Sequence, residues 1–184
     1  MATRRIPRPR VPAAARAALV ASVLTISAAA PAATQPAAPG QFVADLQSGC
    51  KVWNPHPQPG ETVLWSGPCA NGLAEGAGRL QWLKDGKPYE RDEGAWRQGR
   101  QEGRGSQDWT SGRYDGELSG GEPQGQGVLT LRTARYAGEF QAGKPNGTGT
   151  LTGLDGSFRG VWKDGCLVGD KRNIAFGVSS AGCK

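Results

Sequence analysis

The stretch YAGEFQAGKPNGTGTL, Tyr136 to Leu151, decides the fold. With Tyr136 as position 1, glycine falls at positions 3, 8, 12 and 14, and YDGELSGGEPQGQGVL, Tyr114 to Leu129, repeats that spacing. The same frame recovers Gly67, Gly72, Gly76 and Gly78, then Gly94, Gly99, Gly103 and Gly105, and finally Gly160, Gly165 and Gly169. Nineteen of 20 places hold glycine, Lys171 being the exception, and the first glycines of successive units lie 27, 22, 22 and 22 residues apart. Glycine supplies only 29 of 184 residues, so composition does not generate this register. The period lies in the range that marks repeat arrays.

Within a unit, positions 1, 3 and 5 are mostly aromatic, glycine and bulky, while positions 2 and 4 carry small or charged residues such as Ser66, Asp115, Glu117, Glu139 and Arg159. That alternation reads as a strand with one buried face. Gly76, Gly78, Leu80 and Trp82 show the second series, at positions 12 to 18. Each unit is therefore a β-hairpin whose turn holds the position 8 glycine at positive φ. Further turns at Asp85-Gly86, Ser111-Gly112 and Asp155-Gly156 join the units. Glycine on a buried strand face leaves room for a neighbouring aromatic ring to lie flat on bare backbone. The predicted fold is all-β: an elongated, twisted antiparallel meander of about five hairpin repeats, each touching its neighbours.

The pattern aromatic-x-Gly-x-Trp/Phe-x-x-Gly-x-x-x-Gly-x-Gly-x-Leu, complete from Tyr136 to Leu151, resembles the MORN repeat (membrane occupation and recognition nexus). The resemblance covers Trp65 to Gly169 and implies a hairpin array used for scaffolding, oligomerisation or membrane association. Cys69 and Leu118 depart from it at position 5, Asp92 replaces the opening aromatic, and five extra residues separate the first two copies.

The beginning of the chain reads as a bacterial-type export signal spanning 1–32. Arg4, Arg5, Arg8, Arg10 and Arg16 form a basic region, Ala17 to Ala29 is an apolar run, and Ala30 and Ala32 offer a cleavage site before Ala33. The apolar run is short for a membrane span. A retained anchor is the alternative. The chain carries 22 basic and 16 acidic residues, net +6, but five arginines and no acids fall in the signal, which leaves 17 against 16 in the mature form. The remaining signs are interspersed, so charge points neither to nucleic acid nor to a polybasic membrane surface.

Residues 33–48, rich in Ala, Pro and Gln, read as a flexible linker, and 49–184 as one β domain with braced ends. The first and fifth repeats of a single extended sheet stand roughly 40 Å apart, which excludes end-to-end disulfides within a chain. That leaves Cys50 with Cys69 and Cys166 with Cys183, each contributing about 3 kcal/mol. A metal site or redox pair is the competing reading, but no C-x-x-C occurs and His56, the only histidine, sits in a proline-rich loop.

No Ser-His-Asp or phosphate-loop arrangement is present, and the Asp92-Glu93 pair alternates with arginines as a solvated strand face does. No cofactor or catalytic residue is assigned. The candidate binding surface is aromatic: Trp65, Trp82, Trp109, Tyr114, Tyr136, Phe140, Phe158 and Trp162, with packing against glycine as the plain reading for those at repeat positions. The sequence thus points to a non-catalytic, extracytoplasmic (periplasmic or secreted) binding or scaffold module for a protein or cell-envelope partner. Peripheral association with lipid headgroups is the alternative, and a hydrolase ranks third.

Overall fold

The structure, a computed structural model, describes residues 40–183. The stretch read as an export signal, 1–32, and the first part of the stretch read as a linker lie outside these residues. From Glu61 the chain builds a ten-stranded sheet from β3 (Glu61–Ser66), β6 (Gly76–Lys84), β7 (Lys87–Arg97), β8 (Arg100–Trp109), β9 (Gly112–Ser119), β10 (Glu122–Leu131), β11 (Ala134–Gln141), β12 (Lys144–Gly153), β13 (Gly156–Lys163) and β14 (Cys166–Leu167). Spatial order follows chain order from β6 to β14, with β3 on the free side of β6. Nine strand spacings make the sheet about 43 Å wide. The all-β meander predicted from the glycines is what forms.

The hairpin turns explain position 8. Asn71-Gly72, Gln98-Gly99, Gly120-Gly121, Ala142-Gly143 and Asp164-Gly165 all place both residues at φ between 47° and 89°. These are type I′ turns, whose twist matches that of the flanking strands. The tips also bond to one another: the turn glycine's N–H donates to the position 10 carbonyl of the preceding repeat, Gly99 to Ala74 (2.8 Å), Gly121 to Gln101 (3.0 Å), Gly143 to Pro123 (3.0 Å) and Gly165 to Pro145 (2.8 Å). Successive hairpins are therefore locked at their tips as well as along their strands.

Positions 3 and 14 pair across the seven strand boundaries from β6 to β13, so Gly78, Gly94, Gly105, Gly116, Gly127, Gly138, Gly149 and Gly160 form one unbroken row across these strands. Rings lie on it. A side chain on Gly127 would come within 2.6 Å of the Tyr114 ring, and one on Gly149 within 2.6 Å of the Tyr136 ring. The hydroxyls of Tyr114 and Tyr136 donate to the carbonyls of Glu117 (2.8 Å) and Glu139 (3.2 Å), and burial, with those glutamate charges, pushes both phenols up to about 12.

The five extra residues lengthen the β6–β7 hairpin around Asp85-Gly86. The first repeat keeps β3 and β6 in the main sheet, but its turn segment leaves it and forms β4 (Cys69–Ala70) and β5 (Leu73–Ala74), which join β1 (Gln41–Ala44) and β2 (Lys51–Asn54) in a four-stranded sheet of order β1-β2-β5-β4. Residues 41–48 are accordingly not linker. Asp45 anchors them by accepting hydrogen bonds from the Ser48 hydroxyl (2.6 Å), the Ser48 N–H (2.7 Å) and the Trp65 N–H (2.9 Å). Burial works to raise its pKa, but those donors outweigh it and hold the carboxyl below its ordinary range.

The core lies on one face, in two clusters. At the N-terminal end Cys50, Val52, Val63, Trp65, Ala74, Leu80, Trp82 and Trp96 pack together. At the C-terminal end Tyr114, Leu118, Tyr136, Phe140, Leu151 and Trp162 pack under Phe176, brought over them as the chain returns along β14. Disulfides join Cys50 to Cys69 and Cys166 to Cys183, with Cα separations of 6.0 and 5.4 Å. No helix among the described residues is long and apolar enough to cross a membrane.

Candidate functional site

Register explains the gap between the two clusters. One row runs Trp65, Leu80, Asp92, Gln107, Tyr114, Leu129, Tyr136, Leu151, Phe158 across nine strands. All are apolar or aromatic except the adjacent pair Asp92 and Gln107, both from the second repeat. The next row places Glu90 between Trp82 and Trp109. At position 10 the same repeat carries Gln101, where the next two repeats carry Pro123 and Pro145. The second repeat has a polar packed face.

Asp92 is only 4% exposed, and its Oδ2 accepts a 2.8 Å hydrogen bond from Trp82 Nε1. Its Oδ1 has no hydrogen-bond donor among the described residues. Burial, then the neighbouring Glu90 charge, holds the Asp92 carboxyl well above the carboxylate range, and burial likewise raises Glu90. Only a shared proton lets these two carboxyls bond to each other. Gln101 takes the place of a ring over the glycine row: its Nε2 would lie 2.8 Å from a side chain on Gly105, and it donates to the Glu93 carbonyl at 3.2 Å. Gln107 Nε2 donates to Gln101 Oε1 (3.2 Å) and to the Gly121 carbonyl (2.9 Å).

These residues line a cavity of about 530 Å³. Glu61 closes one side, fully engaged by Asn54 Nδ2 (2.8 Å), the Gln58 N–H (2.7 Å) and the Tyr89 hydroxyl (2.6 Å). Burial and the bond to Glu61 push the Tyr89 phenol up. His56 stands at the rim, its side chain 75% exposed and its Nε2 3.2 Å from Glu122 Oε1.

The aromatics do not form an exposed row. Trp65, Trp82, Tyr114, Tyr136, Phe140 and Trp162 are buried, while Trp109 and Phe158 are half-buried. They pack edge to face, Tyr136 with Phe140 at 5.1 Å and with Trp162 at 5.2 Å. A ring that must cover the glycine row is not free to face a partner. Trp82, Trp109 and Tyr114 do reach the cavity lining. Reading Asp92 and Glu93 as one solvated pair is also corrected. The strand's alternation sends Glu93 to the outer face, where it pairs with Arg79 at 2.7 Å, and turns Asp92 inward beside Glu90. Asp92 stood out in the sequence as a missing aromatic; comparing positions 10 and 16 between repeats would have added Gln101 and Gln107.

Glycine-rich hairpins that each touch only their neighbours, packed on one face and open on the other, form a repeat array. The family model for the MORN repeat matches three stretches, residues 93–112, 114–133 and 136–158. MORN repeats generally act as binding or scaffold modules and commonly mediate protein or membrane-lipid contacts. No curated protein matches the chain.

Proposed function

We propose that the protein is an exported, non-catalytic binding and scaffold module that offers the outer face of its ten-stranded sheet to a protein or cell-envelope partner. The outer face itself carries this reading. The packed face is capped at one end by the small sheet and at the other by the Phe176 segment, whereas the outer face has a shallow concavity of about 580 Å³ lined by Arg104, Asp115, Gln126, Val128, Ala137 and the glycine row. A row without side chains lets a partner approach the backbone closely. The charges there are mixed, as in Arg79 with Glu93 and Arg113 with Asp108 and Asp115, which suits a protein surface better than a uniformly anionic membrane. The two disulfides support an oxidising, extracytoplasmic setting.

Crosslinking capture from the extracytoplasmic fraction tests this. Arg104→Glu, Val128→Asp and Arg159→Glu should each reduce capture partially and together nearly abolish it, because contact is spread over several hairpins. Capture indifferent to all three, or moved onto anionic lipid vesicles, contradicts the reading.

A further inference from the structure

We propose that the cavity over the second repeat binds a small organic cation with a primary ammonium group, its N–H donors taken by Asp92 and Glu90 and its stem flanked by Trp82 and Trp109. This rests on the binding-module reading but uses the opposite face of the sheet.

The repeat supplies its own control. Where the second unit has Asp92, the later units have Tyr114, Tyr136 and Phe158; where it has Gln107, they have Leu129 and Leu151; where it has Glu90, they have Gly112, Ala134 and Gly156. Four polar residues, counting Gln101, thus occupy one packed face in one unit, although the fold accepts apolar residues at all four places. Burying such groups costs stability unless each is partnered. Three of the four are held by protein donors or acceptors or reach solvent; Asp92 Oδ1, on a side chain nine-tenths buried or more and part of the cavity wall, meets no N–H or hydroxyl donor, and the Asp92 carboxyl can bond Glu90 only by sharing a proton with it.

Charge identifies what would partner it. Glu61, Glu90, Asp92 and Glu122 line the cavity against His56 and Lys144, and His56 is already beside Glu122. A neutral polyol can donate to Oδ1 but leaves the Glu90–Asp92 repulsion in place. An ammonium group supplies three donors and opposes that repulsion, replacing the shared proton. Trp82 and Trp109 bracket Glu90 in the register and offer the aromatic surface that organic cations favour. The volume suits a small molecule, and among the described residues no acidic, histidine or cysteine cluster is arranged to hold a metal ion.

Isothermal titration of the purified protein with cadaverine, a primary diamine, and with pentanediol, its neutral counterpart, tests the assignment. Expected is saturable binding of cadaverine and none of pentanediol, with Asp92→Asn and Glu90→Gln each weakening cadaverine by about tenfold or more. Glu93→Gln, one residue away on the outer face, should leave the affinity unchanged. Both carboxamide variants are near-isosteric, and thermal melts of each verify that the fold is retained. No cadaverine binding by the native protein, equal binding of pentanediol, or an affinity untouched by both variants overturns the proposal. Such a failure with outer-face capture intact removes the amine site alone; loss of capture with cadaverine binding intact removes only the scaffold reading.

Discussion

The Trp82 indole N–H donates to Asp92 Oδ2 at 2.8 Å, which fixes a buried carboxyl between the two apolar clusters of the sheet. With Glu90 alongside, both acids titrate above their ordinary values. An acid whose folded pKa exceeds its unfolded value contributes stability that is complete below the unfolded pKa and is lost as pH rises through the folded one. Asp45, held low, acts in the opposite sense: its contribution is present above the unfolded value and is lost as pH falls through the folded one. Comparing native protein with Asp92→Asn isolates the first effect. As pH rises from about 4 towards neutrality, the native denaturation midpoint should fall relative to that of the variant. Parallel curves would contradict the pair's raised titration.

The glycine row makes a position-specific claim. Gly149→Ala forces a methyl into the Tyr136 ring and should destabilise by about 2–4 kcal/mol in equilibrium unfolding. Gly153→Ala, four residues along the same strand, meets nothing closer than 3.6 Å and should be within about 0.5 kcal/mol of the native protein. Equal effects would mean the ring does not rest there.

The Cys166–Cys183 bond holds the returning segment that carries Phe176 onto Tyr136, their rings stacked at 6.1 Å. Non-reducing peptide maps should show this link and Cys50–Cys69. Cys183→Ser should lower stability by about 2–4 kcal/mol and expose 168–183 to limited proteolysis first. A cleavage pattern that begins within β9–β12 would contradict the cap.

Export should remove about 32 residues. N-terminal sequencing of the extracytoplasmic protein is expected to begin close to Ala33, and an intact Met1 form confined to the cytosol would contradict the targeting reading.

The parts of this structure that repeat were legible. The turn glycine at position 8 recurs five times, at a 22-residue period after a first spacing of 27, so its role could be inferred from its neighbours. The small sheet was not legible, because β1 and β2 are four-residue strands in a stretch without periodicity, and β2 meets β5 in parallel through the single pair Lys51 and Leu73. The hydrogen bonds between hairpin tips join position 8 of one unit to position 10 of the unit before it, a contact that spacing does not encode. The cavity lay between these cases. Asp92 was visible as an exception to the repeat, but its charge suggested solvent, whereas strand alternation places it with Tyr114 and Tyr136 on the packed face.

On the proposed amine site, the second repeat keeps a polar face for binding where a filled core would be more stable. Asp92→Tyr combined with Gln101→Pro and Gln107→Leu gives that repeat the residues its neighbours already pack, and replacing buried charge by well-packed apolar groups is neutral or stabilising by about 1–4 kcal/mol. The unfolding free energy of this triple variant, measured by denaturant titration beside the native protein, is the most direct measurement. A face kept polar for binding predicts a more stable variant; a clearly less stable one would show that the polar residues are structural.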